Sequence, residues 1–478
     1  MALAVQREAA LDPSFVCNRS ESVLSVIEKC LDNGLGRCLI VEDDNRLIGR
    51  ISLDDIRHAL IDGTAIIDST LGWHLRDAGP TDAARHLRND TEDDILKPIL
   101  DARGRLTGVV TDRSMAPVQV AKPHLTHREF RSVLDAFISC WISSKGPYVS
   151  KFEDEFRKFI GVEHGIAVSN GTVALHLALV ALGVGPGDEV IVPDLTFAAT
   201  INAVLYCGAT PVIVDVDPTT WCLTRKLVEG ACTSRTKAII PVHLYGRPAE
   251  IGPITRFAKS RGIAVIEDCA EAHGARYAGR PVGQFGDINC FSFYANKIVT
   301  TGEGGMCLTD SDELASTLRL LRDHGMSPDR SYWHERVGYN YRITNLQAAI
   351  GESQLWQIET TLRRNASIAA HYREALRGIP GIRFPPTLPD ECDPVVWLAC
   401  VQVPADKRLP IMHAAYQAGI EMRPFFHPLS ALPPYSKYAR ACPVSDELAA
   451  TGINLPTSNA VDDQVVARVA RVFHEVLS

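Results

Sequence analysis

The chain has 478 residues, of which 46% are hydrophobic and 22% are charged, and its formal net charge is -8 at pH 7. This length exceeds the size at which a single hydrophobic core stops growing, so we expect two or three domains. The negative charge gives no electrostatic reason to expect nucleic acid or an anionic membrane as a partner, and no apolar run is long enough for a membrane span.

The N-terminus and the cysteines both favour a cytoplasmic protein. The first residues, from Met1 to Glu8, lack the layout of a signal peptide. The 13 cysteines are scattered through apolar stretches without CxxC spacing. We therefore expect reduced and mostly buried thiols, and neither a disulfide framework nor a metal site.

Residues 1–120 show an internal repeat. The first copy predicts helix, strand, strand and helix over Glu21–Asn33, Arg37–Glu42, Leu47–Ser52 and Leu53–Ile61. The second copy is weaker and predicts a helix followed by two strands over Thr81–Arg88, Ile95–Leu100 and Leu106–Thr111.

This repeat resembles a tandem pair of CBS domains, small α/β modules that bind adenine nucleotides in a cleft between the two copies. In that family a hydroxyl and a carboxylate after the second strand hold phosphate and ribose, and the first copy supplies them as Ser52 and Asp55. The second copy has the hydroxyl of Thr111 but carries Ser114 where the motif ends in aspartate. At most one of the two sites therefore has both the hydroxyl and the carboxylate. Alternatively, Ser52 and Asp55 only cap the following helix.

A connector with two prolines, Ala116–His124, places a domain boundary near residue 120. Residues 121–375 then alternate short apolar strands with helix-length segments, which predicts a parallel sheet covered on both faces. The five expected strands are Ile166–Ser169, Glu189–Pro193, Thr210–Asp215, Thr236–His243 and Ile263–Glu267.

Residues 376–478 predict a smaller α+β domain. The pattern indicates strands at Ile382–Phe384 and Val395–Val403, a helix near Lys407–Ala418 and a terminal helix from Val461.

Lys297 lies between a strand-like run and a glycine-rich turn, and the acidic segment Ile266–Gly274 precedes it. A lysine that forms a Schiff base needs a rigid strand end, and a pyridoxal ring needs a carboxylate to keep its nitrogen protonated. Asp268 and Lys297 are the candidates for this pair.

Gly171 and Thr172 open a predicted helix directly after a strand. Free backbone N–H groups and the helix dipole make such an end suitable for a phosphate, although a plain capped helix would have the same sequence. Phe197 and the pair Asp268 and Lys297, which follow downstream, favour the phosphate.

In this order the motifs resemble the DegT/DnrJ/EryC1/StrS family of sugar aminotransferases over about residues 125–478. The resemblance implies the fold of type I pyridoxal-phosphate (PLP) enzymes, which is α/β with a mainly parallel sheet between helices, here preceded by the CBS pair. Family active sites lie between subunits, so at least a homodimer is implied. Lys297 excludes a branch of the family that carries histidine at this position and catalyses dehydration.

The resemblance also implies roles for residues around the PLP ring. Lys297 would hold the cofactor covalently, Asp268 would pair with the ring nitrogen, Phe197 would stack on the ring and Glu271 would lie close by. His243 lies at a predicted strand end, where it either contacts the cofactor or satisfies a buried partner. Considered singly, Asp268 could be no more than the last residue of a strand, and Phe197 could be a residue of the hydrophobic core.

A second set of residues would hold the cofactor phosphate. Gly171, Thr172 and Ser292 would do so within one subunit, and Asn340 would reach the phosphate of the neighbouring subunit. Alternatively, Asn340 orders only its own turn.

Two further stretches bear on the substrate, Asp323–His334 and Arg423–Leu429. They resemble family members that use glutamate to aminate C4 of a GDP-linked 4-keto-6-deoxy sugar, which implies Arg423 and His427 as substrate-binding residues. Relatives often carry an aromatic residue or histidine where this chain has Ser430, so a UDP-linked N-acetyl 4-keto sugar is an alternative.

Two more protein classes are compatible with parts of the sequence: a nucleotide-sensing CBS protein with a catalytically silent second half, and a PLP enzyme that acts on amino acids alone. The intact pair of Lys297 and Asp268 argues against the first class. The second class is disfavoured because the sequence shows no evident arginine near its C-terminus that would clamp a carboxylate, although Arg423 keeps this class open.

Overall fold

A computed structural model of the protein describes residues 12–18, 20–61, 96–101, 103–111 and 118–478. The helix expected over Thr81–Arg88 and the position of Ser114 lie outside the described residues. The chain divides into two compact units. The first contains the described residues up to Val118 together with His124–Arg131 and Asp462–Arg468, and the second contains Gln119–Pro123, Ser132–Val461 and Val469–Ser478.

The first unit contains a three-stranded sheet in the order β1-β2-β3, in which β1 runs parallel and β3 antiparallel to β2. Its elements are β1 (Val16–Asn18), α1 (Val23–Asp32), β2 (Arg37–Val41), β3 (Leu47–Ser52), α2 (Leu53–Ile61), β4 (Leu96–Leu100) and β5 (Leu106–Thr111). The strands β4 and β5 form an antiparallel pair. Helix α1 begins at the N-cap Ser22, whose side chain accepts the Ser25 N–H, and buries Val26 and Cys30 against β2.

The elements from residue 127 to residue 322 include all the strands of a large sheet and its covering helices. They are α3 (His127–Ile138), α4 (Pro147–Ile160), β6 (His164–Val168), α5 (Gly171–Ala181), β7 (Glu189–Pro193), α6 (Ala199–Tyr206), β8 (Thr210–Val214), α7 (Arg225–Ala231), β9 (Thr236–Ile239), α8 (Ile251–Arg261), β10 (Ala264–Asp268), β11 (Arg276–Tyr277), β12 (Arg280–Pro281), β13 (Ile288–Ser292), β14 (Gly305–Thr309) and α9 (Asp312–Arg322).

The remaining elements form the C-terminal part. They are α10 (Asn345–Trp356), α11 (Ile358–Ala375), β15 (Cys392–Asp393), β16 (Ala399–Gln402), α12 (Ala405–Gln417), β17 (Arg423–Pro424), α13 (Pro443–Thr451), β18 (Gly452–Leu455) and α14 (Asp463–Leu477).

Seven strands form the main sheet in the order β6-β14-β13-β10-β9-β7-β8. All neighbouring pairs are parallel except the two made by β14, which runs antiparallel to β13 and β6. The five strands expected from apolar runs are all present, because runs such as Glu189–Pro193 are buried along their whole length. The sheet is therefore mainly parallel, as predicted, with one antiparallel strand.

The C-terminal part contains the antiparallel sheet β16-β18-β17. The prediction of a strand at Ile382–Phe384 is wrong. In this range Arg383 forms an isolated bridge with Gln402, and its neighbours are not paired in a strand. Two prolines explain this, because the chain continues into Pro385 and Pro386, which have no backbone N–H to donate. In the part of the chain that the structure describes, none of the helices has the length and apolar character needed to span a bilayer.

Candidate active site

The carboxyl ends of two neighbouring parallel strands bring the acidic segment and the lysine segment together. Asp268 is the last residue of β10, and it pairs in register with Cys290 of β13. Ser292 ends β13, and Lys297 lies in the turn that follows it. Parallel strands place both ends at the same edge of the sheet, which is where ligands bind in α/β folds.

The Lys297 amine is almost enclosed. Its side chain is 11% exposed, and Nζ lies 3.4 Å from Glu271 Oε1 and 3.7 Å from the ring centroid of Trp397. The Trp397 indole N–H donates to the carbonyl of Asn296, 2.6 Å away, which holds the ring beside the lysine. Burial lowers the pKa of Lys297, and the nearby carboxylates Glu271 and Asp268 oppose this shift. A larger fraction of neutral amine is therefore available than for an exposed lysine.

Asp268 is a buried carboxylate, 5% exposed, with hydrogen bonds from two neutral donors. Thr200 Oγ1 donates to Oδ2 at 3.0 Å, and the Ala270 N–H donates to Oδ1 at 3.2 Å. Burial raises the pKa of Asp268. Among the described residues no cation lies within ion-pair distance of it, so a protonated ring nitrogen would supply the missing positive charge.

Glu271 follows Asp268 by three residues, and its Oε1 is the carboxylate oxygen that lies near the Lys297 amine. It is buried, and its Oε2 accepts the backbone N–H of Tyr245 at 2.8 Å. Tyr245 has a left-handed backbone with φ of 52°. Burial raises the pKa of Glu271, while Lys297 opposes the rise.

The start of helix α5 and the end of β13 form a narrow cradle. Asn170 caps the helix by accepting the Val173 N–H at 3.0 Å. A Cβ added at Gly171 would lie only 2.7 Å from Cβ of Ser292, and one at Gly305 would lie 2.5 Å from the carbonyl of Asn170. Glycine at both places thus lets the helix start approach the Ser292 hydroxyl, with Thr172 next in the helix. This arrangement fits a phosphate group.

Phe197 is 60% exposed, so it is not the core residue that its sequence alone allows. Its ring centroid lies 5.9 Å from that of Phe426, which is followed by the exposed His427. Arg423 is paired within its own segment, because its Nε donates to Glu421 Oε1 at 2.9 Å. This pairing weakens its case as a clamp for an amino-acid carboxylate.

Ser430 attaches this segment to the main sheet. Its N–H and hydroxyl donate to the buried Asp194 carboxylate at 2.7 and 3.0 Å, and the Leu429 N–H donates to the Asp194 carbonyl at 2.8 Å. Asp194 directly follows β7. Ser430 therefore has a structural role in joining this segment to the end of β7.

Asn340 lies on the surface of the chain. It forms a backbone bridge with Asp323, and its Oδ1 accepts Nε of Arg342 at 3.2 Å. Exposed aromatic residues occur in the same stretch, at Tyr332 and Trp333.

His243 has a buried partner. Its Nδ1 accepts the Ala249 N–H at 3.0 Å, so Nε2 carries the proton and donates to Glu267 Oε2 at 2.9 Å. Glu267 also accepts three backbone N–H groups, from Gly283, Phe285 and Gly286. These bonds engage both ring nitrogens of His243 and both carboxylate oxygens of Glu267, two of the three members of a buried group with metal-ligand composition whose third member is Cys269.

Ser52 and Asp55 in the first unit form a reciprocal helix cap. The Ser52 N–H and hydroxyl donate to Asp55 Oδ2 at 2.8 and 2.6 Å, and the Asp55 N–H donates to Ser52 Oγ at 3.1 Å. The capping interpretation therefore holds in this structure, and both side chains are accessible.

Three residues beside Lys297 and Asp268 were not expected from the sequence: Trp397, Tyr245 and Thr200. The Tyr245 and Trp397 rings stack with centroids 6.1 Å apart. Thr200 offered a weak signal, as it follows Phe197 by three residues at the start of a helix. Trp397 offered none, since it is 100 residues from the lysine in sequence.

Comparison with known protein families finds a match in the N-terminal region and another in the rest of the chain. The model of the DegT/DnrJ/EryC1/StrS aminotransferase family matches residues 123–474, and the CBS domain model matches residues 7–62. The second match spans the first copy of the expected repeat.

Individual relatives cover most of the family region. The GDP-perosamine synthase of Caulobacter vibrioides is 44% identical over 370 residues, which cover 75% of this chain and 98% of that protein. The GDP-perosamine synthase of Escherichia coli O157:H7 is 41% identical over 365 residues, covering 76% and 100%. The crystal structure of the aminotransferase TlmJ from Streptoalloteichus hindustanus superposes with a TM-score of 0.72 at 32% identity, covering 75% and 98%.

Proposed function

Because the chain belongs to the DegT/DnrJ/EryC1/StrS aminotransferase family, we propose that it transfers the amino group of glutamate to C4 of a GDP-linked 4-keto-6-deoxy sugar. The chain is a PLP-dependent sugar aminotransferase with a CBS domain. The observation that carries the choice of substrate is the similarity to GDP-perosamine synthases over nearly their full length.

The residues of the site fit this cofactor, and we assign each a role. Gly171, Thr172 and Ser292 would bind the phosphate, and Asp268 would hold the protonated ring nitrogen. Phe197, with its exposed ring, would cover one face of the cofactor. When bound, pyridoxal phosphate supplies an electron sink for the substrate carbanion and an aldehyde that carries the amino group from one substrate to the other.

Lys297 is the group that would move protons. Its buried amine has a lowered pKa, so the neutral form can take a proton from a substrate carbon and return it elsewhere. Glu271, 3.4 Å from Nζ, and the Trp397 ring, 3.7 Å away, limit the positions that the amine can occupy. Both contacts orient the lysine and exclude water from one side of it.

The substrate proposal predicts a clear preference between sugar nucleotides. With glutamate as donor, purified enzyme should convert GDP-4-keto-6-deoxymannose with a kcat/KM at least roughly tenfold above that for a UDP-linked N-acetyl 4-keto-6-deoxy sugar. The two substrates differ in the base and in the N-acetyl group, which a pocket complementary to one of them would distinguish. Release of 2-oxoglutarate measures the first half-reaction and the 4-amino sugar measures the second. Turnover of the UDP sugar alone would contradict the GDP assignment and leave the family activity intact.

We also propose that the enzyme is at least a homodimer with Asn340 serving the site of its partner. The support is that Asn340, Tyr332 and Trp333 are exposed on the isolated chain. In a twofold dimer such a surface is buried twice, once on each subunit.

Mixing two weakened variants tests the shared site. Lys297→Ala and Asn340→Ala subunits should together recover about a quarter of wild-type activity after random exchange, because each hybrid dimer keeps one intact site. The control mixes Lys297→Ala with Asp268→Asn, whose lesions are expected in the same site, and it should recover nothing. A first mixture that behaves like the control, after exchange is confirmed by mass spectrometry, would refute the shared site.

We further propose that the N-terminal region, taken as a CBS pair over 1–120, binds an adenine nucleotide through Ser52 and Asp55 and regulates the enzyme domains at 121–375 and 376–478. The support is the CBS match and the accessible Asp55 carboxylate, whose Oδ2 accepts hydrogen bonds from Ser52. A ligand changes turnover only if it binds two conformations with different affinity.

Calorimetric titration with AMP, ADP and ATP tests the nucleotide site. At least one of them should bind, and Asp55→Ala should weaken binding roughly tenfold or more, since a charge-assisted hydrogen bond is lost. Asp55→Asn is the matched control, because an amide oxygen can still cap the helix while the charge is removed. Equal affinity for wild type and both variants would exclude Asp55 from the site.

A further inference from the structure

A cavity lies in the second unit, and Tyr245 lines it, but Lys297 does not. Its volume is about 540 Å³, within the range of small-molecule sites. Apolar side chains from α11, from the segment Phe384–Leu388 and from β16 form most of its wall. The charged residues that line it are Arg247 and Arg373, and the described lining residues include no aspartate or glutamate.

Arg247 is a buried cation without a carboxylate partner. It is 7% exposed, and its guanidinium donates to three backbone carbonyls, those of Thr219 at 2.7 Å, Thr220 at 3.3 Å and Pro386 at 2.8 Å. These bonds use Nε and Nη2, and Nη1 makes no hydrogen bond to any residue in the described ranges. Burial without a counter-charge lowers the pKa of Arg247. An isolated buried charge is costly, so an anion beside it would stabilise this arrangement.

Two neutral donors of the same wall also lack acceptors. Trp221 and Tyr372 line the cavity, and each is 1% exposed. Within the part of the chain that is described, neither the Trp221 indole N–H nor the Tyr372 hydroxyl has a hydrogen-bond partner. The Arg247 guanidinium carbon lies 4.7 Å from the Trp221 ring centroid, so one of these donors is next to the cation. Buried polar groups without partners are rare in native proteins and call for an explanation.

We propose that this cavity binds a small carboxylate ligand with an apolar body, whose carboxylate is held by Arg247. A single buried cation with neutral donors nearby matches a monoanion, whereas the apolar remainder of the wall matches a hydrocarbon or aromatic body. Arg373, exposed and stacked 4.7 Å from the Phe384 ring centroid, adds positive charge to the wall.

Tyr245 connects this cavity with the candidate active site. Its side chain lines the cavity, its N–H donates to Glu271 and its ring stacks on Trp397, which contacts Lys297. A ligand in the cavity would therefore contact a residue that supports the lysine pocket. The binding itself does not depend on which sugar the enzyme aminates.

The test uses the holoenzyme and 1-naphthoate, a carboxylate on an aromatic body, in calorimetric titrations. Binding should be saturable, and 1-naphthamide, which has the same shape without the charge, should bind at least roughly tenfold more weakly. Arg247→Met should weaken naphthoate binding roughly ten- to hundredfold, while Arg247→Lys should weaken it less because the charge remains.

A second variant keeps the test decisive if loss of Arg247 unfolds the chain. Ala369→Phe places a ring in the cavity from α11 while leaving Arg247 in place, and it should abolish naphthoate binding with little change in turnover. Equal binding of acid and amide, unchanged binding in Ala369→Phe, or no binding to wild type would overturn the proposal. Displacement of naphthoate by millimolar inorganic phosphate would also overturn it, since a small anion would then suffice.

Discussion

Replacing Lys297 with alanine is expected to lower turnover by at least about 10³-fold, because the chain would lose both its covalent bond to the cofactor and its proton-transferring amine. The wild-type enzyme should show a visible absorbance band that borohydride bleaches, and Lys297→Ala should lack it. Peptide mapping of the reduced wild type should find the cofactor on Lys297. Discovery of the cofactor on another lysine would show that the assignment is wrong.

Lys297→Arg is the matched control for this variant. Arginine keeps a positive charge beside Glu271 and Trp397, but it cannot form the covalent bond and does not act as a base at neutral pH. We expect it to be as inactive as Lys297→Ala while disturbing the fold less. An active Lys297→Arg enzyme would mean that charge, and not the amine, is what the site requires.

Asp268→Asn is expected to lower turnover by roughly 10²- to 10⁴-fold, since a neutral amide cannot hold the proton on the ring nitrogen of the cofactor. The side chains have nearly the same shape, so the asparagine oxygen can still accept the Ala270 N–H, while its amide nitrogen would face the Thr200 hydroxyl, which can accept as well as donate. The measurement is kcat for both half-reactions, together with the absorbance of the bound cofactor. A variant that keeps full kcat would exclude Asp268 from this role.

Thr200→Val separates the charge of Asp268 from its positioning. The hydroxyl donates to Asp268 Oδ2 at 3.0 Å and lies 3.1 Å from Thr196 Oγ1. Without it, the carboxylate keeps its charge but loses one donor that stabilises its ionised form. We expect a loss of roughly tenfold, well below that of Asp268→Asn.

The individual elements and the chemical pair were predictable from the sequence because their signals are local. Apolar runs bounded by turns predicted β7, β8 and β10, and the helix start at Gly171 was visible from its glycine after a strand. Lys297 and Asp268 stood out because each residue type at a strand end has a specific chemical use. Trp397, whose ring lies against the lysine, and Tyr245, which stacks on Trp397, had no such signal.

Tertiary structure decided how these pieces meet. The order β6-β14-β13-β10-β9-β7-β8, and the antiparallel direction of β14, place Asp268 beside Cys290 and the start of α5 against Ser292. Trp397 reaches the lysine turn from the C-terminal part of the chain, and Arg247 finds its carbonyl partners at Thr219 and Pro386.

The sequence by itself therefore determined which residues are candidates for the chemistry and which apolar segments form the main sheet, since residue type and short-range periodicity act within a few positions. The fold alone decided the enclosure of Lys297, the engagement of Ser52 and Asp55 in a cap, the exposure of Phe197 and the uncompensated charge of Arg247. Burial and partnership depend on residues that are distant in sequence and become neighbours only when the chain packs.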